Sequence, residues 1–175
     1  WKAGKLAEAR TGFLSVARED PRFKNAERAR YQAAWVSLEE GDVAGATDAF
    51  GELRLAADDT IRLEAAFRHA YGLYRLNRYD EAVAAFRAGE RGGFGEVESA
   101  RHRFWKARAL RESGRAAEAD RVLAGLVSDP FAGGYALLAL KERGGDPFRM
   151  LNASSSRETK GCRDERRLLW ATVLG

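Results

Sequence analysis

Two Glu-Ser pairs place a carboxylic acid beside a hydroxyl in this chain, Glu98-Ser99 and Glu112-Ser113. A carboxylic acid held against a reacting oxygen can serve as general acid and then as general base. Glu112-Ser113-Gly114, however, reads as a helix end running into a turn. The two histidines, His69 and His102, belong to no His/Cys/Asp/Glu cluster with metal-ligand spacing. They read as packing or surface residues. Cys162 is the single cysteine, so neither a disulfide framework nor a thiolate zinc site is available. With no histidine near it in sequence, it reads as an inert thiol. The glycine-rich stretch from Gly89 to Gly95 lacks the Gly-Lys-Ser/Thr ending of a phosphate loop and follows no strand. No catalytic residue, cofactor or metal ligand is expected.

The aromatic residues are the more informative set. Tyr31 and Trp35 stand one helical turn apart, as do Phe67 and Tyr71, with Tyr74 three positions further on. Rings at this spacing share one face of a helix, and they can line a groove whose polar tips hydrogen-bond an extended ligand. The basic stripes Arg101, Arg103, Arg108 and Arg163, Arg166, Arg167 read as solvated faces. Lys and Arg total 30 against 26 for Asp and Glu, and the net charge of +4 is too small for a strong phosphate footprint. A nucleic-acid partner is not expected.

The elements that hold these residues come from an internal repeat. Gly4, Gly41, Asn77 and Gly114 are each followed five residues later by an alanine (Ala9, Ala46, Ala82, Ala119) and nine residues later by a large apolar residue (Phe13, Phe50, Phe86, Leu123). All three markers repeat at intervals of 37, 36 and 37 residues. Gly or Asn suits the left-handed conformation that ends a helix. The alanine lets the next helix approach closely, and the large residue one turn on fills the space beyond. A second apolar-periodic stretch precedes each anchor, so the repeating unit is a helix–turn–helix pair.

This spacing predicts helices over 5–18, 26–40, 43–56, 61–76, 79–88, 97–113, 116–127, 133–143 and 163–174, with loops at 89–95 and 152–161. The three prolines fall between pairs, as Asp20-Pro21, Asp129-Pro130 and Asp146-Pro147. Asp58-Asp59-Thr60 supplies acceptors for a helix start. No stretch alternates with period two, so no sheet is expected. The fold class predicted is all-α: about nine helices in one right-handed solenoid over residues 1–175. Aligning the anchors puts Tyr31, Trp35, Phe67, Tyr71, Tyr74, Arg108 and Arg111 on or near the concave side formed by the first helices of the pairs.

At 175 residues and 45% apolar the chain can bury a core, and no apolar run approaches the roughly 18 residues of a membrane span. Both ends cut a repeat: Trp1 stands just before a turn, and Leu168, Leu169, Ala171, Val173 and Leu174 leave helix 163–174 with more apolar surface than one neighbour covers. A partner helix is therefore expected to follow Gly175.

The anchored helix pair resembles the tetratricopeptide repeat (TPR), with a period slightly longer than the usual 34 residues. The segment Arg103-Phe-Trp105 to Ala119, followed by Asp129-Pro-Phe-Ala-Gly-Gly-Tyr135-Ala-Leu-Leu-Ala139 and Gly144, resembles the helical superhelix of soluble lytic transglycosylases. Gly134 stands where that family commonly has a tyrosine. The resemblance implies a periplasmic or cell-envelope scaffold whose catalytic domain, cleaving peptidoglycan, lies outside this chain. It also implies that Trp105, Gly114, Ala119, Tyr135 and Ala139 are packing residues. Neither Glu-Ser pair is followed by the segment that family's active site needs. The partner expected is a peptidoglycan glycan strand or, for a general TPR interaction module, a protein.

Overall fold

The alanine register is borne out in three of its four copies, while Ala9 and Phe13 of the first are only partly buried. Ala46, Ala82 and Ala119 have no accessible surface, and the large residues one turn on, Phe50, Phe86 and Leu123, are at most 1% exposed. A computed structural model describes residues 5–19, 25–90 and 95–147. Among them are eight helices and no strand: α1 (Leu6–Glu19), α2 (Ala26–Glu39), α3 (Val43–Leu53), α4 (Asp59–Arg75), α5 (Tyr79–Glu90), α6 (Glu96–Glu112), α7 (Ala116–Val127) and α8 (Gly134–Glu142). Gly4, Asp20-Pro21, loop 152–161, Cys162, helix 163–174 with its arginines, and Trp170 lie outside the described residues.

The turns repeat one geometry. Gly41, Asn77 and Gly114 have φ of 86°, 59° and 81°, and Asn77 is the one non-glycine residue with positive φ among those described. At each, two backbone N–H groups turn back onto the helix that has just ended. Gly41 donates to Leu38 and Asp42 to Ser37, Asn77 to Tyr74 and Arg78 to Leu73, Gly114 to Arg111 and Arg115 to Leu110. These bonds satisfy carbonyls that the helix end would otherwise leave open. Gly144 closes α8 in the same way at φ 77°.

Helix starts carry their own caps. The Asp42 carboxylate accepts from Gly45 N–H at 2.8 Å, and that of Asp58 from Ile61 N–H at 3.0 Å. The Asp58 cap starts α4 two residues ahead of the predicted boundary. Two ends differ from expectation. α3 stops at Leu53, and α5 continues to Glu90, so Gly89 is a buried helical residue and not part of a loop.

Every helix packs against the next, and α2 also touches α4, α4 touches α6 and α6 touches α8. No odd-numbered helix packs against another odd-numbered one among the described residues. The even-numbered helices are thus covered on several sides. In α6 the buried residues Ala100, His102, Phe104, Ala107, Ala109 and Leu110 spread around the helix, whereas in α7 Ala119, Leu123 and Leu126 form one stripe. The buried side chains form one cluster from α4 to α8 and a smaller one joining α2, α3 and α4. Helix α4 serves both: Ala65 belongs to the smaller cluster, and Phe67, Ala70 and Leu73 to the larger.

Candidate functional site

The even-numbered helices carry the rings that the sequence singled out. Tyr31 and Trp35 on α2 are half-buried and pack edge-on against Phe50 of α3, at 5.5 and 6.3 Å between ring centres. On α4, Tyr71 and Tyr74 are half-buried and stack in sequence, with Phe67 below them: Phe67–Tyr71 is 6.0 Å and Tyr71–Tyr74 is 6.2 Å. Trp105 of α6 closes this row edge-on, 4.6 Å from Tyr71 and 5.5 Å from Tyr74.

Phe67 departs from the expected groove. Only 6% of it is exposed, because Phe86 of α5 and His102 of α6 cover it. Its position one turn before Tyr71 gives it the same helical face, but two neighbouring helices close over that part of the face. Arg108 and Arg111 lie where α6 meets α8. The Arg108 guanidinium sits 5.0 Å from the Trp105 ring centre and 3.6 Å from the Glu142 carboxylate. Arg111 binds Glu142 at 2.9 Å and Asp120 at 3.1 Å.

Three arginines join this constellation that ring spacing alone does not reveal. Arg68 lies 4.5 Å from the Trp35 ring centre and so bridges α4 to α2. Arg101 lies 3.9 Å from the Phe67 ring centre and pairs with Glu64 and Glu98, bridging α6 to α4. Arg103 pairs with Asp129 at 2.6 Å. The stripe Arg101, Arg103, Arg108 is therefore not a solvated face: each member is partly buried and ion-paired. Spacing within one helix could not show this, because the carboxylates come mostly from other helices.

The polar tips of the rings behave differently from the arginines. The hydroxyls of Tyr31, Tyr71 and Tyr74 and the indole N–H groups of Trp35 and Trp105 make no hydrogen bond within the described residues. Burial raises the pKa of Tyr74 above its ordinary value, so its hydroxyl stays a donor throughout the neutral range. The same holds for Tyr135 of α8, whose ring lies 5.9 Å from Phe104.

Two clefts open between α2 and α4. One, of about 260 Å³, is bounded by Trp35, Leu38 and Glu39 on one wall and Arg68, Tyr71 and Arg75 on the other, with Thr47 and Phe50 behind. The second, of about 320 Å³, lies toward the helix starts and includes Arg28, Tyr31, Gln32 and Glu64. A larger cleft of about 710 Å³ separates α1 from α3 over α2. It holds no aromatic ring, and its polar groups are partly engaged: Arg10 with Glu40 at 2.9 Å, Asp42 as the α3 cap, and Glu27 with the N–H groups of Ala57 and Asp58. The ring-bearing clefts are the better candidate site.

Neither carboxylate weighed for catalysis lines any of the three clefts described above. Glu98 is held by Arg101 at 2.6 Å, and Glu112 is exposed at the end of α6. Among the described residues no three His, Cys, Asp or Glu side chains gather as a metal site, and no helix is long and apolar enough to cross a membrane. Trp105, expected only as a packing residue, is half-buried and part of the ring row, while Ala119 and Ala139 are fully buried. Comparison with protein-family models, with curated proteins and with solved structures finds no match.

Proposed function

We propose that this chain is a TPR-like right-handed solenoid of helix–turn–helix pairs that works as a non-catalytic binding platform. Its ligand lies along the face shared by α2, α4 and α6. The observation that carries this reading is the division of labour among the polar groups of that face. Arg68, Arg101, Arg108 and Arg111 there are paired with Glu64, Glu98 and Glu142, whereas Arg28 and Arg75 at the clefts are in no ion pair among the described residues. The tips of Tyr31, Trp35, Tyr71, Tyr74 and Trp105 are left to solvent or a ligand.

A face of this kind suits an extended strand rich in hydroxyl and amide groups, which can lie on rings and accept or donate at their edges. It suits a phosphate backbone less well, because four of its arginines are already paired with carboxylates and only Arg28 and Arg75 are left for counterion release. The likeness of Arg103–Gly144 to the helical region of soluble lytic transglycosylases makes a peptidoglycan glycan strand the first occupant. In that setting the catalytic domain belongs to another part of the protein, and the compartment is the periplasm or cell envelope. The likeness of the anchored pairs to TPRs supports the second reading, a protein-interaction module with a peptide on the same face.

Calorimetric titration of the chain with peptide-free glycan strands tests the proposal. The expected result is saturable binding. The double variant Tyr71→Phe/Tyr74→Phe, which keeps both rings and removes both hydroxyls, should weaken it about 3- to 10-fold, in line with one or two lost hydrogen bonds. Arg121→Ala, on the exposed side of α7, should leave it unchanged. Binding of an extended peptide in place of the glycan, with the same response to the variants, selects the second reading. Binding that ignores the tyrosine variant contradicts both.

A further inference from the structure

The cleft of about 260 Å³ between α2 and α4 holds polar groups of both charges that the fold itself leaves unused. Glu39 on the α2 wall and Arg75 on the α4 wall form no ion pair with each other or with any other described residue. The Tyr71 hydroxyl beside them makes no hydrogen bond either. Arg68 pairs only loosely: its Nε has no hydrogen-bond partner and lies 3.8 Å from the Glu64 carboxylate, which also serves Arg101. Of the polar side chains around this cleft, Thr47 at the back is spent within its own helix, on the Val43 carbonyl at 2.7 Å.

The repeat register sharpens the contrast. Two positions before the turns at Gly41, Asn77, Gly114 and Gly144 stand Glu39, Arg75, Glu112 and Glu142, so Arg75 is the one cation in this set. Glu142 is tied to Arg108 and Arg111 of the neighbouring helix. Glu39 and Arg75 belong to neighbouring helices as well, yet with the cleft between them they remain apart.

An anion and a cation on opposite walls, too far apart to pair, match a ligand with a hydrogen-bond donor on one side and an acidic group on the other. A guanidinium binds a carboxylate in charge-assisted hydrogen bonds, and a carboxylate accepts from an amide N–H. The Tyr71 hydroxyl and the Trp35 indole N–H offer neutral bonds beside them. The Arg68 guanidinium, laid against the Trp35 ring at 4.5 Å, adds positive charge to the Arg75 wall and is already ordered before anything binds. A polyanion fits poorly, since Glu39 repels any negative charge beyond the first. The volume falls just under the roughly 300–1,000 Å³ of small-molecule pockets, so the cleft takes a single unit of a longer strand.

We propose that this cleft is a subsite for one N-acylated sugar acid, the unit that alternates with a neutral sugar along a peptidoglycan glycan strand. Its carboxylate meets Arg75, and its amide N–H meets Glu39. The assignment rests on the glycan reading of the ring-bearing face and adds which unit of the strand that face selects.

Calorimetric titration of the whole chain with two forms of the same peptide-free glycan strands tests the subsite: one with free carboxylates, one with those carboxylates converted to methylamides. The free acid should bind about tenfold more tightly, the size of one charge-assisted hydrogen bond near a surface. Arg75→Gln, at an exposed position of α4, should weaken the free acid about tenfold and leave the two forms equal. Glu39→Leu should weaken the methylamide form about threefold or more, because that form carries no carboxylate for Glu39 to repel. Equal binding of both forms by the unaltered chain overturns the proposal and leaves the wider glycan reading standing. So does an Arg75→Gln variant that still prefers the free acid. Failure of both forms to bind removes the glycan reading and the subsite with it. A peptide that binds only with its C-terminal carboxylate free, and loses that preference in Arg75→Gln, gives the cleft to a peptide end and overturns the sugar-acid assignment.

Discussion

The central carbon of the Arg101 guanidinium on α6 lies 3.9 Å from the centre of the Phe67 ring on α4, and the same guanidinium reaches Glu64 at 3.3 Å and Glu98 at 2.6 Å. Its side chain is 16% exposed. One cation thus fastens two even-numbered helices through a ring and a carboxylate on α4 and a carboxylate on its own helix.

Because this cation is largely shielded from water, its contact with Phe67 should be measurable. A double-mutant cycle pairing Arg101→Met with Phe67→Leu is expected to give a coupling energy of about 0.5–1 kcal/mol by urea denaturation. Zero coupling would mean that the stacking geometry contributes nothing beyond the ion pairs.

Ala82 is expected to reject any larger side chain. It is fully buried on α5, which packs on both α4 and α6, so Ala82→Leu should cost about 1–3 kcal/mol by overpacking. Ala84→Leu, on the exposed side of the same helix, serves as the control and should shift the denaturation midpoint little.

Asn77 separates backbone strain from side-chain contacts. At φ 59° a β-branched residue is disfavoured, and Asn77→Val should lose about 1–2 kcal/mol. Asn77→Gly matches the residue found at the other anchors and should be close to neutral, despite losing the 2.7 Å bond from Tyr79 Oη to Asn77 Oδ1. If Gly costs as much as Val, that side-chain bond matters more than the left-handed turn.

The parts of this fold that could be read in advance are those set by local chemistry. A left-handed turn needs Gly or Asn, and a close helix contact needs Ala, so Gly41, Asn77, Gly114 and their alanines stand out in the bare sequence. The Asp58 cap is legible for the same reason. The site was legible only in part. Helical spacing put Tyr31, Trp35, Tyr71 and Tyr74 on a common face, but it also put Phe67 there, because period 3.6 identifies a face and not which neighbour covers it. The partners of Arg101 and Arg108 come chiefly from α4 and α8, tens of residues away. Gly89 read as a loop residue because its purpose, admitting the His102 ring, depends on a side chain in the next helix.

The claim that the even-numbered helices form the binding face is tested most directly by an amide chemical-shift footprint of the chain titrated with peptide-free glycan strands. The account predicts that the largest shifts fall on α2, α4 and α6 around Tyr31, Trp35, Tyr71, Tyr74 and Trp105, and extend to the indole N–H signals of Trp35 and Trp105. Shifts concentrated instead on α1, α3, α5 and α7, or in the cleft between α1 and α3, would contradict it.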